Sequence, residues 1–385
     1  MKRKGLLNHR AKALFMTGAV LATLLTGCGN ANSNVEQGNK SQTTESTRIV
    51  GAAEGAEVSA DRTIDYTVLS EEELNDLAAK EPAAKEKITL MYDGGLCLAP
   101  IPVAYHKGYF EEEGLSNIEL IAVADYREAL MAGQLTVALG FMSDWLVSYQ
   151  GGTDIVSTLA LHTGCTSAAV LSDSPYTKLE KGMKIGVAGA VGGSMHNIGL
   201  RFANHDGFNN DDFTWFGLDM GSLLAALQEK KVDAIVAYDQ LTEQWANDGS
   251  VRIIRSQTKD DDFKNEACCT IGFRKDWVEK NPVTAYKITR TIYKASLWVQ
   301  ESEEHKKETV DLLMEKGYIS GTKEFNQQLL FSFRYGLDSQ DLENSLNTMA
   351  SEYKQLGILR ADFDTEHLPE NFIVKYNLSN IKPED

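Results

Sequence analysis

From residue 87 onward, short apolar runs alternate with stretches in which apolar residues recur every three or four positions. The short runs read as buried strands and the longer periodic ones as amphipathic helices. Residues 88–92 form the first predicted strand and 100–112 a helix with an apolar face. A strand over 118–123 and a helix over 125–133 follow, then strands over 136–140 and 154–161 with a short helix between them. A second series begins with a strand at 184–187 and a helix at 194–205. It continues through a strand at 213–216, a helix at 222–229, a strand at 234–237, a helix at 241–247 and a strand at 251–254. Alternation of this kind specifies an α/β fold, with mainly parallel sheets covered by helices on both faces. Two series of about 100 residues each imply two lobes. Beyond residue 280 the pattern is helical, at 282–301, 305–315, 325–333 and 341–356, and these helices are expected to pack back on the first lobe.

The N-terminal part breaks this pattern. Residues 1–12 carry Lys2, Arg3, Lys4, Arg10 and Lys12 with no acid, and an apolar stretch runs from 13 to 25. That stretch is too short to span a bilayer comfortably and is placed like the core of a signal peptide. It ends in Leu25-Thr26-Gly27-Cys28, which resembles a bacterial lipobox, where small residues precede a cysteine that is lipidated and becomes the new N-terminus. Two acyl chains on Cys28 would hold the protein to the lipid bilayer without a spanning helix, outside the cytoplasm. Residues 29–55 are polar and without periodicity, as in a flexible tether, and residues 56–86 are acidic with a short helix expected against the body. The expected boundaries are a leader at 1–27, the lipidated cysteine with tether and acidic segment at 28–86, the first part of lobe 1 at 87–181, and lobe 2 at 182–266. The return crossover to lobe 1 and the C-terminal helices take up 267–385.

Composition narrows the function classes. The 385 residues carry 38 Lys+Arg against 55 Asp+Glu, a formal net charge of -17. Loss of the leader removes its five cationic side chains, so the exported body is more acidic still, at -22. Such a chain is a poor partner for nucleic acid, whose phosphates demand basic surfaces. Five cysteines are too few for a disulfide scaffold. No GxGxxG or GxxxxGK[ST] nucleotide loop and no GxSxG nucleophile elbow occurs, so no cofactor and no catalysis is expected.

The stretch Ala99-Pro100-Ile101-Pro102-Val103-Ala104-Tyr105-His106-Lys107-Gly108-Tyr109-Phe110, with Glu113-Gly114-Leu115 after it, resembles the opening helix of the nitrate, sulfonate, taurine and thiamine-precursor group of periplasmic binding proteins. The stretches Val137-Ala138-Leu139-Gly140, Leu179-Glu180-Lys181-Gly182-Met183-Lys184-Ile185-Gly186-Val187 and Gly189-Ala190-Val191-Gly192-Gly193-Ser194-Met195-His196 fit the same pattern in the same order, as does Val232-Asp233-Ala234. The resemblance covers roughly residues 87–300. It implies the two-lobed type II periplasmic-binding-protein fold with a two-strand hinge. It also implies a monomeric solute receptor that closes on a small molecule and hands it to an ABC permease in the cytoplasmic membrane. Relatives that make the thiamine pyrimidine leave open an enzyme on the same scaffold.

In open α/β sheets ligands bind beyond the carboxyl ends of strands. That rule singles out Asp93, the Met142-Ser143-Asp144 segment, His162, the Gly193-Ser194-Met195-His196 helix start, and Tyr238 with Asp239. Glycine amides and the positive end of a helix at Gly193-Ser194 suit an anion, although Ser194 equally suits a cap of its own helix. Asp144 and Asp239 suit a ligand with an amine or ring N–H, or serve as caps. Trp145 is positioned either to stack on a flat ligand or to fill the core. Cys97, Cys165, Cys268 and Cys269 also fall on cleft or hinge segments near His162, His196, Met142 and Met195. Three readings stand for them: a soft-ligand site for a metal or metal complex, a structural disulfide, or small buried thiols.

Overall fold

The computed structural model describes residues 49–383. The leader, Cys28 and residues 29–48 of the expected tether lie outside the described residues. Twelve strands are formed: β1 (Glu57–Val58), β2 (Ile64–Asp65), β3 (Ile88–Met91), β4 (Ile118–Ile121), β5 (Ala138–Phe141), β6 (Ile155–Thr163), β7 (Thr166–Leu171), β8 (Lys184–Ala188), β9 (Thr214–Leu218), β10 (Ala234–Tyr238), β11 (Val251–Ser256) and β12 (Ala267–Arg274).

The first lobe is built on the parallel pair β3–β4 and the three-stranded sheet β5-β12-β6. A parallel bridge from Leu90 to Val137 at the entry to β5 links the two. The second lobe holds the five-stranded sheet β11-β7-β10-β8-β9. Within it β8 runs parallel to both β10 and β9, as strand–helix–strand units require. Every residue of β6 is buried, which explains why its sequence, Ile-Val-Ser-Thr-Leu-Ala-Leu-His-Thr, lacks alternation: both faces are covered.

Two segments cross between the lobes, one joining β6 to β7 through Gly164 and Cys165, the other joining β11 to β12. The second sheet therefore begins earlier than residue 182. Thr166–Leu171 is a strand of it, antiparallel to both β10 and β11. Its run of small residues and alanines gives a weak strand signal, and the turn at Gly164-Cys165 is only two residues long.

Two further expectations change. The predicted helix 100–112 breaks at Gly108, whose φ of 78° lies in the left-handed region, into Pro100–His106 and Tyr109–Glu112. Residues 49–55, expected in the tether, belong to the folded body. The hydroxyl of Tyr66 donates to Gly51 O at 2.8 Å and accepts from Ala53 N at 2.8 Å, and the Tyr66 ring stacks on Tyr286 with 4.6 Å between centroids. The following helix, Glu71–Ala78, is held by Glu71, which accepts two hydrogen bonds from Arg290 at 2.8 and 2.7 Å. Residues 49–86 are thus strapped to the long helix Pro282–Glu301, which itself packs on the first lobe. Among the described residues no helix is long and apolar enough to cross a membrane.

Candidate functional site

The segment following β3 and those ending β5, β6 and β10 meet where the lobes face each other, Cys97 beside His162 and Phe141 beside Tyr238. Asp144, in the first turn of the helix Met142–Gln150, accepts from the Tyr126 hydroxyl at 2.8 Å and faces Arg127 Nη1 at 4.0 Å. Burial raises its pKa above the usual carboxylate range, against hydrogen bonds from Tyr126 and from Ser194 of the opposite lobe. Beside this pair the rings of Phe141 and Tyr238 approach across the lobes to 5.5 Å. Gly193 is the N-cap of the helix Ser194–His205, so Ser194 is its first helical residue and does not serve as the cap. Asp93 is exposed, and its Oδ1 accepts from Gly95 N at 3.0 Å.

Beneath these groups the two crossovers are locked together. Gly164 has a φ of 80°, and a Cβ there would stand 2.8 Å from the Thr258 Cα, so the segments pass at backbone distance. Cys165 follows with a φ of 98°, an unusual conformation for a residue with a side chain. Asp239 pins both segments. Its backbone N donates to Cys165 O at 2.9 Å, and its carboxylate accepts from Ser167 Oγ at 2.5 Å and from Thr258 Oγ1. Fully buried, Asp239 has its pKa raised to about 6 by desolvation, partly offset by those two hydroxyls.

At the same level lies a cluster of soft donors. Cys97 Sγ, a nitrogen of His162, Cys165 Sγ and Cys269 Sγ all lie within 4.8 Å of one another. Cys268 Sγ is 3.0 Å from Cys165 Sγ. Neighbours on a regular strand point to opposite faces, yet Cys268 and Cys269 both reach Cys165. The pairing of β12 with β6 slips on either side of Cys269, and this irregularity turns both sulfurs inward. Burial pushes the Cys165 thiol well up. It also opposes ionisation of Cys268, but contacts with Cys165 and Cys269 outweigh it and leave Cys268 at about 7. Cys269 is lowered, chiefly by its hydrogen bond with Cys165. Burial alone would lower His162, and the neighbouring sulfurs of Cys269 and Cys97 reverse that.

The sequence matches the NMT1-like family over residues 80–314, well over half of the chain. The chain belongs to that family. A curated relative, the 4-amino-5-hydroxymethyl-2-methylpyrimidine phosphate synthase of Aspergillus parasiticus, is 27% identical over 292 residues, which cover 70% of this chain and 82% of the relative. Among solved structures, the periplasmic nitrate-binding protein NrtA from Synechocystis PCC 6803 superposes with a TM-score of 0.60 at 17% identity, covering 74% of this chain and 86% of its own. The alkanesulfonate-binding protein SsuA from Xanthomonas axonopodis pv. citri, bound to MOPS, gives 0.58 at 18% identity, covering 73% and 96%. These likenesses identify the fold of this NMT1-like protein as that of the periplasmic binding proteins.

Not every residue singled out by its loop position faces the space between the lobes. Met142 is wholly buried, Ser143 accepts from the Tyr353 hydroxyl at 2.6 Å, and Trp145 packs edge-on against Tyr126 at 5.0 Å in the core. Met195 Sδ accepts from Thr166 Oγ1 at 3.9 Å, and His196 packs edge-on against Trp215 at 4.8 Å within lobe 2. Loop position alone does not separate a cleft-facing side chain from one turned into its own lobe. Cys269 joins the donor cluster, and its neighbour Cys268 lies against Cys165 beside it. Strand alternation would bring only one of the two near Cys165, and the bulge brings both.

An ion-pair group completes the lobe contact. Arg201, wholly buried on the helix Ser194–His205, donates from Nη2 to Glu266 at 2.9 Å and from Nε to Glu352 of the C-terminal helix Ser339–Gln355. His205 adds a 3.0 Å contact to Glu352 and one of 2.9 Å to Asp262. Glu352 is half-buried, which alone would raise its pKa, but Arg201 and His205 hold it below the ordinary value. No sequence signal marks this group, because its members are separated by up to 151 residues.

Proposed function

We propose that this protein is the extracytoplasmic solute-binding component of an ABC importer, anchored through a lipidated Cys28, and that its solute is a small planar heterocycle bearing N–H donors. The observation that carries the reading is the buried carboxylate of Asp144, facing Ser194 across the lobes with the Phe141 and Tyr238 rings beside it. A carboxylate repels a simple oxyanion and accepts from an amine or ring nitrogen, while aromatic rings stack on a flat solute. The curated relative, named for an aminopyrimidine product, supports the same solute class. Closure follows from the paired crossovers, which let the lobes move as bodies about a short hinge. The permease recognises the closed form, and the solute leaves unaltered.

The relative's name as a synthase also favours a second reading, an enzyme on the same scaffold that makes a pyrimidine precursor. Thermal-shift screening of the purified protein against aminopyrimidines, alkanesulfonates and nitrate tests the first reading, since a solute that binds the folded state raises the melting temperature. Aminopyrimidines should give the largest rise, and Asp144→Ala should abolish it. A rise with nitrate or sulfonates alone contradicts the solute class. Formation of a new aminopyrimidine phosphate by the purified protein, detected by mass spectrometry, supports the enzyme instead.

A further inference from the structure

We propose that Cys97, His162, Cys165 and Cys269 form a tetrahedral site for a borderline-soft d10 metal ion of the zinc(II) type. The inference goes beyond the solute-binding reading and does not depend on it. Three thiols and one imidazole make up a donor set that zinc uses at closed structural sites. Their ligand atoms lie within 4.8 Å of one another. Around zinc, with a metal–sulfur bond of about 2.3 Å, tetrahedral sulfurs stand about 3.8 Å apart, so closing onto an ion needs inward movements of about 1 Å or less.

The histidine supplies the independent sign of a ligand. His162 is wholly buried, and its Nδ1 lies 3.1 Å from the carbonyl oxygen of Thr163. A carbonyl can only accept, so Nδ1 carries a proton and Nε2 is the free end of the ring. Nε2 is fully buried and has no hydrogen-bond partner. A backbone carbonyl that fixes one ring nitrogen while the other is bare is the support found behind metal-bound histidines. Burying a polar atom with no partner costs free energy, and an ion at the cluster would remove that cost.

The four donors come from three segments. Cys97 belongs to the loop after β3, His162 lies near the end of β6 and Cys165 in the turn that follows, and Cys269 lies near the start of the return strand β12. An ion there would clasp both crossovers to the first cleft loop. Cys97 is only half-buried and gives the entry path.

Cobalt(II) titration of the reduced, full mature chain tests the site, because tetrahedral cobalt bound by thiolates gives intense visible bands and near-ultraviolet sulfur-to-metal bands. The expected result is saturation at one cobalt per chain, displacement by zinc(II), and a rise in melting temperature with zinc that a chelator reverses. His162→Gln and Cys269→Ser should each weaken zinc binding by at least about 100-fold, the upper end of what loss of outer-shell support costs. Cys97→Ser, at the half-exposed position, tests the same loss where a folding defect is least expected, and circular dichroism of each variant confirms its fold. Absence of tetrahedral bands in the reduced chain overturns the proposal, as do unchanged bands in a folded His162→Gln or Cys97→Ser variant. Thiol counting that finds Cys165 and Cys268 joined as a disulfide in the exported protein overturns it too, since Cys165 would have no thiolate to offer.

Discussion

Asp239 carries the hinge at the scale of a single residue. It holds Ser167 on one segment and Thr258 on the other, and burial raises its pKa to about 6. Between the unfolded value near 3.8 and about pH 6, the native state therefore binds more protons than the unfolded state. Stability should fall as pH rises through that window and level off above it. The difference amounts to about 3 kcal/mol at roughly 1.4 kcal/mol per unit. Urea denaturation between pH 4 and pH 7 should show that decline in the wild type and a flatter profile in Asp239→Asn. Equal slopes would show that the carboxylate is not the titrating group. Gly164 tests the same joint by shape. Alanine would need a φ of 80° and a Cβ within 2.8 Å of the Thr258 backbone, so Gly164→Ala should lower stability by about 2 kcal/mol or more. A calorimetric melting temperature within a degree of wild type would contradict that packing.

Elements differ in how far the sequence reveals them. Strands and helices with strong periodicity, such as β3, β8, β10 and the helix Ser194–His205, fall where apolar spacing predicts them. Thr166–Leu171 was illegible because alanine and serine carry little strand preference and the turn before it is only two residues long. The boundary between the lobes shifted with it. The cysteines were legible as cleft or hinge residues, but their grouping depends on a bulge in β12 and on contacts between residues more than 100 positions apart. The Arg201–Glu352 latch was invisible for the same reason. Because Arg201 is wholly buried, Glu352→Gln leaves a charge without its partner and should cost about 3 kcal/mol in urea denaturation. A cost below about 0.5 kcal/mol would mean that Glu266 alone satisfies the guanidinium.

For the whole molecule, net charge and local chemistry point the same way. A body this acidic disfavours anions at long range, and Asp144 adds a buried carboxylate beside the Phe141 and Tyr238 rings where the lobes face each other. The family and the fold agree with a periplasmic solute-binding protein, and the segment 49–86 is strapped to the first lobe through Arg290. The most direct test is isothermal titration calorimetry of the purified protein with an aminopyrimidine, followed by mass spectrometry of the recovered solute. The account predicts one solute bound per chain and recovered chemically unchanged. No binding heat, or a solute that returns altered, would contradict it.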